Sequence, residues 1–169
     1  VIFDAEHFFD GYKRYPFYAL EVLQTAVQAG ASVVVLCDTN GGTLPWEIEV
    51  ATQAAVKAVD VRVGVHIHND AGLAVANSLV AINAGATHVQ GTVNGYGERC
   101  GNADLCSVIP NLQLKAHREC LSKANLEQLT RLSNYVSELA NQIPNDKQPF
   151  VGKSVFSHKG GLHVSALMK

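Results

Sequence analysis

Four strand-like runs begin near residues 1, 33, 61 and 87. Their spacing is about 30 residues, the length of a strand–helix unit. Units of that kind stack their strands in parallel through right-handed crossovers. The stretches between the runs read as helices. Pro16 suits a first helical turn, where its missing N–H has no partner to lose. Leu20, Leu23 and Val27 mark one face of that helix, and Gly30 ends it. Thr43 and Pro45 start the next helix, with Ile48, Ala51 and Ala55 on its buried side, and Gly85 ends the third. Val33-Val34-Val35-Leu36-Cys37 is apolar throughout, the pattern of a strand covered on both faces.

An open doubly wound sheet and a (β/α) barrel both fit this order. A doubly wound sheet buries both strand faces under helices. Here one face is repeatedly polar: Asp4 and Glu6, then Arg62, His66 and His68, then Gln90 and Thr92. A barrel interior with its site at the C-terminal rim accounts for that better. The expected class is therefore α/β, and four units are half of an eight-stranded barrel. The chain starts at Val1 within an apolar run and stops at Lys169 in a helix-like stretch, so it reads as a fragment of something longer.

The chemistry concentrates in Val61 to Asp70. As a strand it places Val61, Val63, Val65 and Ile67 on one face and Arg62, Gly64, His66 and His68 on the other. Residues i and i+2 point the same way with Cβ atoms about 7 Å apart. Two imidazoles so placed can share one cation about 2 Å from each ring nitrogen. Two separately hydrogen-bonded histidines fit the same pattern. The next strand runs into Asn94-Gly95-Tyr96-Gly97-Glu98-Arg99-Cys100-Gly101-Asn102. Its glycines allow close backbone approach, Glu98 and Arg99 can pair, and Asn102 is expected to start a helix. The loop suits a cation ligand at Asn102, an anion cradle, or a capped turn.

The remainder is of another kind. Asn125 is expected to cap a helix, with Gln128 at the capping-box position. Leu126, Leu129, Leu132, Val136, Leu139 and Ile143 recur at helical spacing and read as a packing stripe. Pro144 to Pro149 is linker-like, and Phe156 to Val164 sets His158 and His163 around paired glycines. The expected layout is barrel units over 1–116, a helical extension over 117–143, and 144–169 as a linker and the start of a subdomain carrying His163.

Composition bounds the function classes. A net charge of −2 without a Lys/Arg run argues against nucleic acid, and no apolar run is long enough to span a membrane. The four cysteines lack C-x-x-C spacing and suit reduced thiols in a cytoplasm.

Three stretches together resemble the acetyl-CoA-dependent α-keto-acid condensing enzymes, the 2-isopropylmalate, homocitrate and citramalate synthases. His66-Ile67-His68-Asn69-Asp70 with Gly72 to Ser78 resembles their metal-binding strand and following helix. Asn94 to Asn102 is similar to their N-G-x-G-E-R-x-G-N loop. Phe156 to Val164 resembles the segment beyond the barrel that carries a catalytic histidine. Phe3 to Lys13, with Lys159 to Ala166, looks most like the citramalate synthase branch.

The resemblance implies the last four units of a (β/α)8 barrel. Four strands cut from a barrel leave two open edges, at Val1–Glu6 and His88–Val93, so a homodimer or larger assembly is expected. It implies condensation of acetyl-CoA with a small α-keto acid, pyruvate first, in branched-chain amino-acid biosynthesis. A divalent cation (Zn²⁺, Mn²⁺, Co²⁺ or Mg²⁺) on His66, His68 and Asn102 would polarise the ketone. Glu6 and His163 would form the acid–base pair, and Thr39 would donate to the keto-acid carboxylate. The family's further ligand, an Asp in an R-D-G-x-Q stretch, does not occur here, so the piece alone is expected to be inactive. The rival readings are 2-isopropylmalate or homocitrate synthesis, a hydroxymethylglutaryl-CoA lyase-like cleavage, a zinc hydrolase, and a non-catalytic barrel fragment.

Overall fold

The computed structural model describes residues 1–158. The chain divides into two compact units, Val1–Val108 and the part from Ile109 onward. His163 lies outside the described residues.

The first unit opens with β1 (Ile2–Ala5), α1 (Phe8–Arg14), α2 (Pro16–Gln28), β2 (Val33–Asp38), α3 (Pro45–Ala58), β3 (Arg62–Ile67), α4 (Ala74–Asn83) and β4 (His88–Gln90). The four strands form one parallel sheet in the order β1-β2-β3-β4. Sequential parallel neighbours with intervening helices fit part of a (β/α)8 barrel. Every residue of β2 is buried, in keeping with its unbroken apolar run.

Register assigns the faces. Asp4 pairs with Val35, Val35 with Gly64, and Gly64 with His88. One layer further on, Cys37 pairs with His66 and His66 with Gln90. Register partners in a parallel sheet share a face, so the polar face expected at the sequence level is one continuous surface. Val63, Val65 and Ile67 are buried on the other face. Gly64 is needed for the close approach: a Cβ there would lie 2.8 Å from the His88 ring.

Helix ends follow local chemistry. Gly85 stops α4 at φ 113°, with its N–H donating to the Ile82 carbonyl and Ala86 donating to Ala81. This is the 6→1 closure in which a left-handed residue satisfies the last carbonyls. Pro45 stands at the first turn of α3, and Glu47 reaches back to the Leu44 N–H at 3.0 Å. Helix α1 has no counterpart in the sequence reading. It starts from His7 at φ 55°, buries Phe8 and Phe9, and packs against α2, β2 and α3. Its seven residues are too few to display a clear helical period.

After β4 come a short 3₁₀ turn at Val93–Gly95 and α5 (Leu105–Pro110). Asn102 does not start a helix, contrary to expectation; it forms an antiparallel bridge with His68. Asp104 takes the helix-opening place instead, its carboxylate accepting from the Cys106 N–H at 2.9 Å.

In the second unit a π-helical turn, Asn111–Lys115, precedes α6 (Lys123–Leu126) and α7 (Leu129–Leu139). Asn125 is not a cap. Ser122 caps α6 by accepting from the Asn125 N–H at 3.2 Å, because it is Ser122, in extended conformation, that precedes the first helical residue. The apolar stripe packs only in part, with Leu126 and Val136 half-buried. Leu129, Ser133 and Ser137 are the buried residues of α7, while Leu132, Leu139 and Ile143 are 41%, 69% and 94% exposed. The Ser137 hydroxyl satisfies itself on the Ser133 carbonyl at 2.9 Å, which lets a serine row face inward.

Candidate functional site

The polar sheet face and the loops beyond the C-terminal strand ends meet at the rim. β3 supplies His66 from its last turn of pleat, and His68 follows directly; their ring centroids are 5.2 Å apart. Asn102 arrives from the β4 loop through backbone pairing, not through a helix. The Asn69 N–H donates to the Gly101 carbonyl at 2.9 Å, and Ala103 donates to Ile67 at 3.0 Å. Gly101 makes that fold-back feasible. Its φ is +89°, and a Cβ there would collide with the Gly95 carbonyl oxygen.

The three residues expected to share a cation therefore come together. His66 Nε2 lies 3.1 Å from Asn102 Oδ1. His68 Nδ1 is buried and has no hydrogen-bond partner. An orphaned buried imidazole nitrogen beside an imidazole–amide pair fits a divalent cation that accepts nitrogen and oxygen donors. Among the described residues no group of three or more His, Cys, Asp or Glu side chains is placed to hold a metal ion. Cys37 stands beside His66 in register, but burial, then the Glu6 and Asp4 charges, push its thiol up to about 12. Burial and the two carboxylates thus keep this thiol in its neutral form.

The remaining candidates form a second cluster on the β1 and β2 loops. The Thr39 hydroxyl donates to Glu6 Oε2 at 2.7 Å and accepts from the His7 N–H at 2.8 Å. Its one proton thus goes to the carboxylate. Arg99 does not chiefly pair with Glu98, which it meets at 4.0 Å. Its guanidinium grips Asp70 in two places, at 2.8 and 2.9 Å, and also donates to the Thr39 carbonyl at 2.8 Å. Both Asp70 oxygens engage the planar fork, whereas Glu98 makes no hydrogen bond to it at 4.0 Å. The hydrogen bond from Arg99 holds the Asp70 carboxyl below its ordinary range and raises the guanidinium in turn. One side chain thereby joins the loops after β2, β3 and β4, and Thr39 extends the tie to Glu6 beyond β1.

Sequence reasoning missed two participants. Gln90 Oε1 lies 2.8 Å from His66 Nδ1, and its amide nitrogen donates to Asp4 Oδ1 at 2.9 Å. Gln90 was visible as a polar position, but only strand register sets it beside His66, and Asp4, one layer away, reaches the ring through it. Asp70 was the other omission, and its place two residues beyond His68 was the available signal.

An HMGL-like family model matches residues 8–136. The chain is 57% identical over its whole length to the (R)-citramalate synthase of Aquifex aeolicus, of which the match covers 32%. It is 44% identical over 90% of its length to a probable 2-isopropylmalate synthase of Methanopyrus kandleri, 30% of which is covered. The chain spans about a third of the length of the curated relatives it matches. The crystal structure of the Bacillus subtilis HMG-CoA lyase superposes with a TM-score of 0.67 at 22% identity, covering 78% of this chain and 45% of that one. That likeness speaks for the fold alone.

Proposed function

The chain belongs to the HMGL-like family, and from that premise we propose that it is part of an enzyme condensing acetyl-CoA with pyruvate to give citramalate. The observation that carries this reading is the 57% identity to a citramalate synthase along the entire chain, against 44% to the 2-isopropylmalate relative. The layout it carries is the second half of a barrel over 1–116, a helical extension over 117–143, and a further segment from 144. The assembly is a homodimer in the cytoplasm. Among the described residues no helix is long and apolar enough to cross a membrane.

A divalent cation on His66, His68 and Asn102, completed by ligands elsewhere in the whole enzyme, would supply Lewis-acid polarisation of the keto group. The chain's own residues do the rest. Thr39 turns its hydroxyl proton from Glu6 to the keto-acid carboxylate when that anion arrives. Glu6, released from this bond, orients His163 and raises its basicity. His163 removes a proton from the thioester methyl, and the resulting carbon nucleophile attacks the ketone, whose oxygen takes up a proton. Water then hydrolyses the thioester, releasing coenzyme A as the free thiol and leaving citramalate. Arg99 keeps Thr39 and Asp70 at fixed spacing, so the carboxylate site and the histidine strand stay aligned.

The test is release of free coenzyme A from acetyl-CoA by the full-length enzyme, with pyruvate, 2-oxoisovalerate and 2-oxoglutarate compared. Pyruvate is expected to give the highest kcat/KM. Preference for either larger keto acid, or cleavage of hydroxymethylglutaryl-CoA without condensation, overturns the reading. In the same enzyme His163→Ala is expected to lower turnover by about 10²–10⁴ with little change in keto-acid affinity.

A further inference from the structure

We propose that Asp4 and Gln90 are a positioning pair that fixes the tautomer of His66, placing its proton on Nδ1 and aiming the Nε2 lone pair at the Asn102 oxygen. The inference rests on the cation reading of His66, His68 and Asn102, and it follows from counting donors and acceptors along one chain of contacts.

A carboxylate offers only acceptors. Asp4 Oδ1 lies 2.9 Å from the Gln90 amide nitrogen, so the NH₂ end of Gln90 faces Asp4. The amide oxygen then faces the other way, 2.8 Å from His66 Nδ1. An amide oxygen accepts and cannot donate, so Nδ1 must carry the proton. A neutral imidazole has one N–H, and Nε2 is therefore bare. The contact at Nε2 is Asn102 Oδ1 at 3.1 Å, another acceptor. The Asn102 amide nitrogen points to the Tyr96 carbonyl at 3.4 Å, which keeps the oxygen end toward His66. Two lone pairs consequently converge where a shared electron-pair acceptor would sit.

The opposite arrangement identifies the deciding residue. Turning the Gln90 amide over would let Nε2–H donate to Asn102, so the imidazole and both amides could all be satisfied. It would also press the Gln90 oxygen against the Asp4 carboxylate. Asp4 lies on β1 and His66 on β3, with Val35 and Gly64 of the same layer between Asp4 and the far edge of the sheet. A charge on one strand thus selects the tautomer of a ring two strands away. Outer partners of this kind commonly set which nitrogen of a ligating histidine is free.

The experiment is a long-range ¹H–¹⁵N correlation on the full chain with ¹⁵N-labelled histidine, without metal or substrates, at pH 8. The His66 signals are assigned by their loss in His66→Gln. The wild type is expected to show His66 as the Nδ1–H form. Gln90→Leu and Asp4→Asn are each expected to give a mixture, since the first removes the acceptor and the second lets the amide turn over. Asp4→Asn/Gln90→Glu, which moves the amide donor to position 4 and keeps an acceptor beside Nδ1, is expected to restore the Nδ1–H form. An Nε2–H form in the wild type overturns the proposal, whatever the variants do. So does an unchanged Nδ1–H form in a folded Gln90→Leu. Because nothing is turned over in this measurement, its failure is separate from failure of the condensation assay.

Discussion

Arg99 ends on two partners that lie in different loops, Asp70 and the Thr39 carbonyl, and its backbone sits at φ 55° to do so. A lysine could hold one of these oxygens but not the fork, since its charge is a single point. Arg99→Lys is therefore expected to loosen the rim while leaving the sheet intact. The check is acid unfolding. The Asp70 carboxyl is depressed in the folded chain, first by the Arg99 hydrogen bond. Its contribution to stability is present above the ordinary aspartate range and is lost as pH falls through the lower folded value. The wild type should show a steeper loss of Tm below about pH 4 than Arg99→Lys does, and added salt should narrow the gap. Thr39 belongs to the same scale. Thr39→Val keeps the shape but removes a hydroxyl that serves both Glu6 and the His7 N–H. A loss of about 1 kcal/mol in urea unfolding is expected, with Thr39→Ser close to wild type.

Helix α7 and the close of α4 carry the expectations at the level of elements. The α7 stripe looks like a buried seam in sequence, yet Leu129 is 7% exposed and Leu139 69%. Leu129→Ala should cost about 2–5 kcal/mol, the usual range for a buried leucine, whereas Leu139→Ala should stay within about 0.5 kcal/mol. Equal costs at the two positions would mean that the helix buries its apolar stripe after all. At Gly85 the left-handed φ and two Val56 methyls 3.3 Å from the position of a Cβ act together. Gly85→Ala is expected to lose about 1–2 kcal/mol from the backbone alone, read as a shift of the denaturation midpoint at unchanged slope.

For the molecule as a whole, the sheet order leaves β1 and β4 as its two edge strands. Edge strands present unpaired backbone groups that take up other strands. Light scattering across a concentration series is expected to show the chain associating, as a homodimer reading requires; a monomer at high micromolar concentration would refute it. The proposed cation site also belongs to the whole rim, since His66 lies on β3, His68 just beyond it, and Asn102 in the β4 loop. Calorimetric titration with Zn²⁺ or Mn²⁺ should give weak binding that His66→Ala/His68→Ala abolishes. The same heat in wild type and double variant would remove the cation from the account.

What the amino-acid order determined by itself is what neighbours along the chain can settle. Period-two alternation put His66 and His68 on one face and Val63, Val65 and Ile67 on the other. Glycines at 30 and 85 ended helices because only a left-handed residue closes the last turn cheaply. The recurrence of strand starts gave the parallel sheet, and the repeatedly polar strand face gave the barrel class. What tertiary structure decided depends on pairing between distant segments. Asn102 reaches His68 through a backbone bridge, not the helix its sequence suggested. Arg99 prefers Asp70, 29 residues away, to adjacent Glu98. Gln90 meets Asp4 across 86 residues. Local periodicity carries no information about register, and register alone sets which polar side chains on one sheet face stand within hydrogen-bond reach of each other.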